Sequence, residues 1–153
     1  MPSFSKKSLE NLESCTNNLQ MIARDAIERI NFAVICGHRG KQGQELSFQD
    51  GKSKLHYPKS KHNFFPSRAM DLVPYWSKIP HIRWGEKSDY ALLCTEEKTC
   101  YLTFEMYHDA CILAFNKLAL EIFFSAKKLE IKGIEWGGNW KMQDLPHFQE
   151  SRV

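Results

Sequence analysis

Ser60-Lys61-His62-Asn63-Phe64-Phe65-Pro66-Ser67-Arg68-Ala69-Met70-Asp71 decides how this chain of 153 residues is read. It holds a histidine and an aspartate nine positions apart. Its end runs into Leu72-Val73, an alternating stretch that predicts a strand with Ala69, Asp71 and Val73 on one face and Met70 and Leu72 on the other. A second segment, Asp144-Leu145-Pro146-His147-Phe148, supplies another aspartate and histidine. Two histidines and two carboxylates are the inventory of a hydrolytic zinc site. Such zinc takes three nitrogen or oxygen ligands and keeps a fourth position for water, and His62, Asp71 and His147 fill the protein's share. Asp144, three residues before the last ligand, is left to move protons.

Outward from the first segment, Phe32-Ala33-Val34-Ile35-Cys36 is a β-favouring run stopped by Gly37, which predicts a buried strand delivering His38 and Arg39 at its end. Before it, Leu9 and Leu12, then Leu19, Ile22, Ala23, Ala26, Ile27 and Ile30 recur at three- and four-residue spacing, as in a short helix followed by a longer amphipathic one with Thr16 or Asn17 as N-cap. Residues 42–49 suit a helix, and residues 51–66, rich in Lys, Ser, Asn and Pro, read as a long loop. Residues 90–93 and 100–104 are candidates for a hairpin across Thr95-Glu96-Glu97-Lys98. From about residue 106 to 129 the apolar spacing predicts a long helix ending at Lys127-Lys128, and residues 131–136 a last strand before a Gly137-Gly138 turn. The sum is α+β: helices packed on a small, mainly antiparallel sheet whose edge holds the metal.

Four blocks in order resemble the zinc metallopeptidases that include phage L-alanyl-D-glutamate endolysins and the vancomycin-resistance D,D-peptidases. Cys36-Gly37-His38-Arg39 resembles the family's Gly-x-Arg strand end, and Ser60-x-His62 through Ala69-x-Asp71 its first zinc motif. Glu135-Trp136-Gly137-Gly138-Asn139-Trp140 resembles its Trp-Gly-Gly loop, and Asp144-x-x-His147-Phe148 its closing motif. The better-known first motif has seven residues from histidine to aspartate; the spacing of nine fits a longer His-Asn-x-x-Pro-Ser-x-Ala-x-Asp form found among phage and prophage members. Residues 76–109 carry no such correspondence.

The resemblance implies a hedgehog and D,D-peptidase-like fold, one catalytic Zn2+ on His62, Asp71 and His147, and Asp144 as general base. It implies Arg39 on a substrate carbonyl or carboxylate, with Ser60 as a substrate hydrogen-bond partner and Trp136 of the Trp-Gly-Gly loop on the substrate side; Gln44, on the helix that follows Arg39, is expected to line the same cleft. Each has a plainer reading: Asp144 as a turn or capping aspartate, Arg39 in a surface salt bridge, Trp136 and Trp140 as core rather than as a wall for a peptide stem. Pro146 fixes its own φ and steadies the presentation of Asp144 and His147. His38, His56, His81 and His108 have no motif and stay outside the site.

The composition, 42% hydrophobic and 25% charged, is that of an ordinary globular chain and suits one domain over residues 1–153, with no separate wall-binding domain. A net charge of +3 without a dense basic run argues against a nucleic-acid partner. No apolar run reaches the ~20 residues that span a bilayer, so stable membrane insertion is not expected. The polar start Met1-Pro2-Ser3-Phe4-Ser5-Lys6-Lys7 has no signal-peptide core. Five irregularly spaced cysteines, odd in number, read as free thiols in a reducing compartment; a structural zinc on Cys94, Cys100, His108 and Cys111 lacks the usual knuckle spacing.

The expected function is a monomeric phage-type endolysin that hydrolyses the L-alanyl-D-glutamate bond of peptidoglycan. It would wait in the host bacterial cytoplasm until a separate protein admits it to the wall. A D-alanyl-D-alanine carboxypeptidase or dipeptidase of the same fold, and a non-catalytic zinc-containing binding module, are the alternatives.

Overall fold

In a computed structural model, which describes residues 2–97 and 102–151, the chain runs through five α-helices and four strands. The helices are α1 (Lys6–Glu13), α2 (Asn17–Ala26), α3 (Lys41–Gln49), α4 (Lys87–Glu97) and α5 (Phe104–Lys128). The strands are β1 (Phe32–Cys36), β2 (Ala69–Pro74), β3 (Ile134–Trp136) and β4 (His147–Glu150), with short 3-10 turns at Lys61–Asn63 and Gly137–Asn139. The strands form one sheet in the order β1-β2-β4-β3, antiparallel throughout, so the expected α+β architecture is the one observed.

Alternation along the strands divides the sheet into a core face and a chemical face. Phe32 and Val34 of β1, Met70 and Leu72 of β2, Trp136 of β3 and Phe148 of β4 enter one core with Leu12, Leu19, Ile22, Ala26, Leu118 and Ile122 from the helices. Full burial of each of the larger side chains stabilises the fold by roughly 1.5–3 kcal/mol. The other face carries Asp71, opposite His147 in the β2/β4 ladder, and Glu135, opposite Gln149 in the β3/β4 ladder. Between Val34 and Cys36 the β1/β2 register slips by one residue, so Cys36 rather than Ile35 lies opposite Asp71. A bulge of this kind re-aims the strand end at a site.

α2 is fastened to α5 by a polar clamp. Asp25 accepts from Lys128 Nζ at 2.6 Å, Ser125 Oγ at 2.7 Å and Arg29 Nη1 at 2.8 Å, while Arg29 Nε reaches Glu121 Oε2 at 2.6 Å. The hydrogen bonds from Lys128, Ser125 and Arg29 hold the Asp25 carboxyl below its ordinary pKa. A depressed carboxylate contributes stability above the unfolded pKa and loses it as pH falls through the folded one. The clamp therefore acts above about pH 4 and weakens below it. Asp25→Ala is expected to lower unfolding free energy at pH 7 by about 1–2 kcal/mol and to flatten the acid limb of stability. Urea unfolding from pH 7 to 2.5 checks this; coincident curves for the two proteins would contradict it.

Three expectations fail. Residues 90–93 lie in α4, not in a hairpin strand, and Cys100 with Tyr101 lies outside the described residues. A four-residue apolar run fits either period; here Tyr90 and Leu93 turn toward Tyr107 and Cys111 of α5 in a small second core. Asp89 supports the helix start by accepting from Glu86 N at 3.0 Å and from Gly85 N at 3.1 Å, and Tyr107 O–H donates to it. Secondly, Cys94 is disulfide-bonded, whereas Cys15, Cys36 and Cys111 are free. An odd count does not exclude a single bridge. Thirdly, residues 131–133 precede β3 rather than belonging to it, and Gly133, at φ 78, accounts for the late start. The position of Thr16 before α2 matches the expected N-cap, but its hydroxyl makes no cap bond. Among the described residues no helix is long and apolar enough to cross a membrane.

Candidate active site

His62 is placed by its neighbours in sequence. Ser60 Oγ accepts from His62 N at 3.2 Å and Asn63 Oδ1 accepts from Ser60 N at 3.0 Å, a capping box that closes the turn. The backbone carbonyl of His62 accepts from Arg39 N at 2.8 Å, tying the turn to the end of β1. The ring is buried, and its Nδ1 lies 2.6 Å from the Gly37 carbonyl oxygen. A carbonyl can only accept, so Nδ1 carries a proton, and in the neutral ring the lone pair is on Nε2. Gly37 is demanded by closeness: a Cβ there would lie 2.1 Å from Asn11 O and 2.3 Å from Ser14 Oγ of the α1 end.

Asp71 and His147 meet across the β2/β4 ladder. His62 Nε2 and His147 Nδ1 both lie 3.2 Å from Asp71 Oδ1. The remote nitrogen of His147, Nε2, sits 2.8 Å from Gln149 Oε1 and donates to it. Two ring lone pairs and a carboxylate oxygen thus converge, an arrangement that repels itself unless a cation or a proton sits among them. A tetrahedral ion with bonds of about 2.0–2.1 Å has ligand-to-ligand edges of about 3.3 Å, which the two 3.2 Å separations match. Protons take the cation's part in the bare protein. Burial works against the charged forms, but Asp71 overrides it for His62, whose pKa is raised, and His62 overrides it for Asp71, held well below the usual carboxylate range. Two edges of this donor set thus have the length that a tetrahedral divalent ion asks for.

Cys36, not singled out in the sequence as a ligand, joins this group: one potential ligand atom each from Cys36, His62 and Asp71 lie within 4.8 Å of one another, and the three could hold a metal. Its Sγ stands 3.7 Å from His62 Nδ1, the ring edge turned away from Asp71.

Arg39 reaches the same cleft, with Nη2 3.9 Å from Asp71 Oδ2. Asp144 is exposed, but the walls around its carboxyl raise its pKa, and the Asp71 charge raises it further, against His147, His62 and Arg39. Its backbone is pinned: Asp144 N donates to Gly137 O at 2.9 Å and His147 N to Asp144 O at 3.2 Å. Gly137 allows this approach, since a Cβ there would lie 2.3 Å from Asp144 O.

Two proposed substrate contacts sit elsewhere. Gln44 is fully buried; its Nε2 donates to Ser53 Oγ at 2.9 Å and Leu55 O at 2.6 Å, and its Oε1 accepts from Asn63 at 3.1 Å. Both amide hydrogens are spent on shaping the 51–66 loop. Trp136, 8% exposed, packs on Phe148 in the core and donates Nε1 to Leu145 O at 2.7 Å. Trp140, 37% exposed with its ring centre 5.1 Å from that of His147, is the tryptophan at the site. Ser60 is buried at the turn it caps. The four histidines left aside bond elsewhere: His38 to Phe64 O, His56 to Glu45, His81 to Trp76 O and His108 to Gly85 O.

The family model described as phage L-alanyl-D-glutamate peptidase matches residues 2–97. This chain belongs to that family. It is therefore a peptidase-family chain, a hydrolase acting on peptide bonds, and the matched stretch holds Cys36, Arg39, His62 and Asp71. Asp144 and His147 lie beyond it, so the place of His147 beside Asp71 rests on the sheet register and the contact above, and that of Asp144 on its backbone bonds to Gly137 and His147. The crystal structure of the Serratia marcescens L-Ala D-Glu endopeptidase ChiX is similar over 97% of this chain and 90% of that one, at a TM-score of 0.66 and 23% identity. At that identity the likeness speaks to the fold. No curated protein matches the sequence.

Proposed function

We propose that this chain is a zinc-dependent endopeptidase of bacterial peptidoglycan that cuts the stem between L-alanine and D-glutamate in phage-driven lysis. The observation that carries it is the convergence of His62 Nε2 and His147 Nδ1 on one oxygen of Asp71, each 3.2 Å away, with both remote ring nitrogens already satisfied. These three side chains would hold the ion. The His62 edge facing Cys36 is occupied by the Gly37 carbonyl, which favours His147 over the thiol as the third ligand. When bound, a zinc ion supplies a Lewis acid for the scissile carbonyl and makes water ionisable near neutral pH.

Asp144 takes the proton of the attacking water as its oxygen bonds the alanyl carbonyl carbon. It returns that proton to the departing nitrogen as the C–N bond breaks, leaving a glutamyl amine and an alanyl carboxylic acid that keeps the second water proton until it ionises to solvent. The walls around its carboxyl and the Asp71 charge raise the Asp144 pKa, which makes its carboxylate a better acceptor for the water proton. Arg39 steadies the negative charge that develops on the carbonyl oxygen, or a substrate carboxylate beside it. Trp140 forms the wall for the peptide stem. Ser60 and Gln44 act through the His62 turn, which they and Asn63 hold closed.

Because a Cβ at Gly137 would strike Asp144 O, Gly137→Ala is expected to displace the base and lower kcat by about 10²-fold while metal binding persists. Native kcat in a folded variant would contradict that placement.

Mass spectrometry of fragments released from purified peptidoglycan tests the function. Stem peptides with a new N-terminal D-glutamate, abolished by a chelator and restored by zinc, are the expected result. Release of terminal D-alanine alone, or no release, would overturn it.

A further inference from the structure

We infer that Glu135 sets the ring tautomer of His147 through the side-chain amide of Gln149, and so determines how tightly that ring can hold a metal. This rests on His147 being a ligand, as proposed above. Period-two alternation puts His147 and Gln149 of β4 on the same face, and the β3/β4 register puts Glu135 directly across from Gln149. The three polar groups form a chain: Gln149 Nε2 donates to Glu135 Oε2 at 2.9 Å, and Gln149 Oε1 lies 2.8 Å from His147 Nε2.

Direction along that chain follows from donor and acceptor chemistry. An ionised carboxylate can only accept, so Glu135 draws the NH2 end of the Gln149 amide to itself. The amide oxygen is thereby turned to His147, whose Nε2 must then carry the proton. With that proton fixed on Nε2, Nδ1 keeps its lone pair, and Nδ1 is the atom 3.2 Å from Asp71 Oδ1. A flipped amide would present NH2 to Nε2, move the ring proton to Nδ1 and block ligation. The ring partner is a neutral amide with an anion one step further out, and outer partners of metal-bound histidines typically govern affinity 10–100-fold.

The test measures zinc affinity by competition with a chromogenic chelator in the full chain, with folding checked by urea unfolding of the chelated proteins. Gln149→Leu keeps volume and removes the acceptor, and is expected to weaken zinc binding by about 10–100-fold; Glu135→Ala weakens it by up to about 10-fold. In the double variant Glu135→Ala adds nothing to Gln149→Leu, because it acts only through the amide. Long-range 1H–15N spectra of the zinc-loaded native protein show the Nε2-protonated form of His147. Native affinity in either folded variant, or an independent factor from Glu135→Ala in the double variant, overturns the inference. Glu135 is exposed, so its variant answers the question even where Gln149→Leu does not fold. His147→Ala separates the two levels: native affinity there sinks the ligand assignment, whereas loss there with native affinity in Gln149→Leu sinks the tautomer inference alone.

Discussion

Asp144→Ala lowers kcat by about 10²–10⁴-fold and leaves one equivalent of zinc bound, the range expected for loss of a positioned general base. The argument has a geometric and an electrostatic part. Gly137 O and His147 N both bond the Asp144 backbone, so the side chain is fixed relative to the last metal-site residue. Its field is that of the site: Asp71 pushes its pKa up, and His147, His62 and Arg39 push it down. None of this involves a bond from the Asp144 side chain to His62, Asp71 or His147, so truncation removes a proton carrier and leaves the donor set standing. Asp144→Asn keeps the shape and is expected to fall as far, because an amide does not accept the proton. A variant that cuts at the native rate would place the base elsewhere, and one that loses zinc as well would make Asp144 part of the metal site. Steady-state kinetics with metal analysis on the same preparation separates these outcomes.

Asp71→Asn abolishes activity to the level of chelated enzyme and weakens zinc binding by more than the roughly 10–100-fold typical of losing an outer partner. Asp71 Oδ1 is the atom on which both imidazole nitrogens converge, and Asp71 is the only anion among His62, Asp71 and His147. Asparagine preserves volume, and its NH2 can donate to one of the two ring lone pairs, so the metal-free variant stays folded with His62 returned toward the neutral form. A variant with native zinc affinity would remove Asp71 from the donor set and with it the reading of the site.

His62, Asp71, His147 and Asp144 stand out in the sequence because their motifs are local: His62 and Asp71 are nine positions apart, and Asp144 and His147 three. Their meeting depends on β2 pairing with β4, and the sequence predicts no strand at His147–Glu150. Four residues, three of them polar, are too few to show a period. With that strand unseen, the shared face of His147 and Gln149, and Glu135 across from it, were out of reach. The two tryptophans of the Trp-Gly-Gly loop look equivalent in sequence, yet the 3-10 turn at Gly137–Asn139 buries Trp136 against Phe148 and leaves Trp140 at the site. The helix that follows Arg39 points to the cleft for Gln44; the returning loop, through Ser53, Leu55 and Asn63, closes over it instead. The bulge that turns Cys36 toward Asp71 comes from a one-residue slip in pairing, which a five-residue β-favouring run does not disclose.

Zinc K-edge X-ray absorption on the loaded protein tests the donor set most directly, because nitrogen and oxygen ligands scatter at about 2.0–2.1 Å and a thiolate at about 2.3 Å. His62, Asp71 and His147 predict a first shell of nitrogen and oxygen alone, with imidazole outer-shell features from two rings. A sulfur shell near 2.3 Å would put Cys36 on the metal and contradict the account.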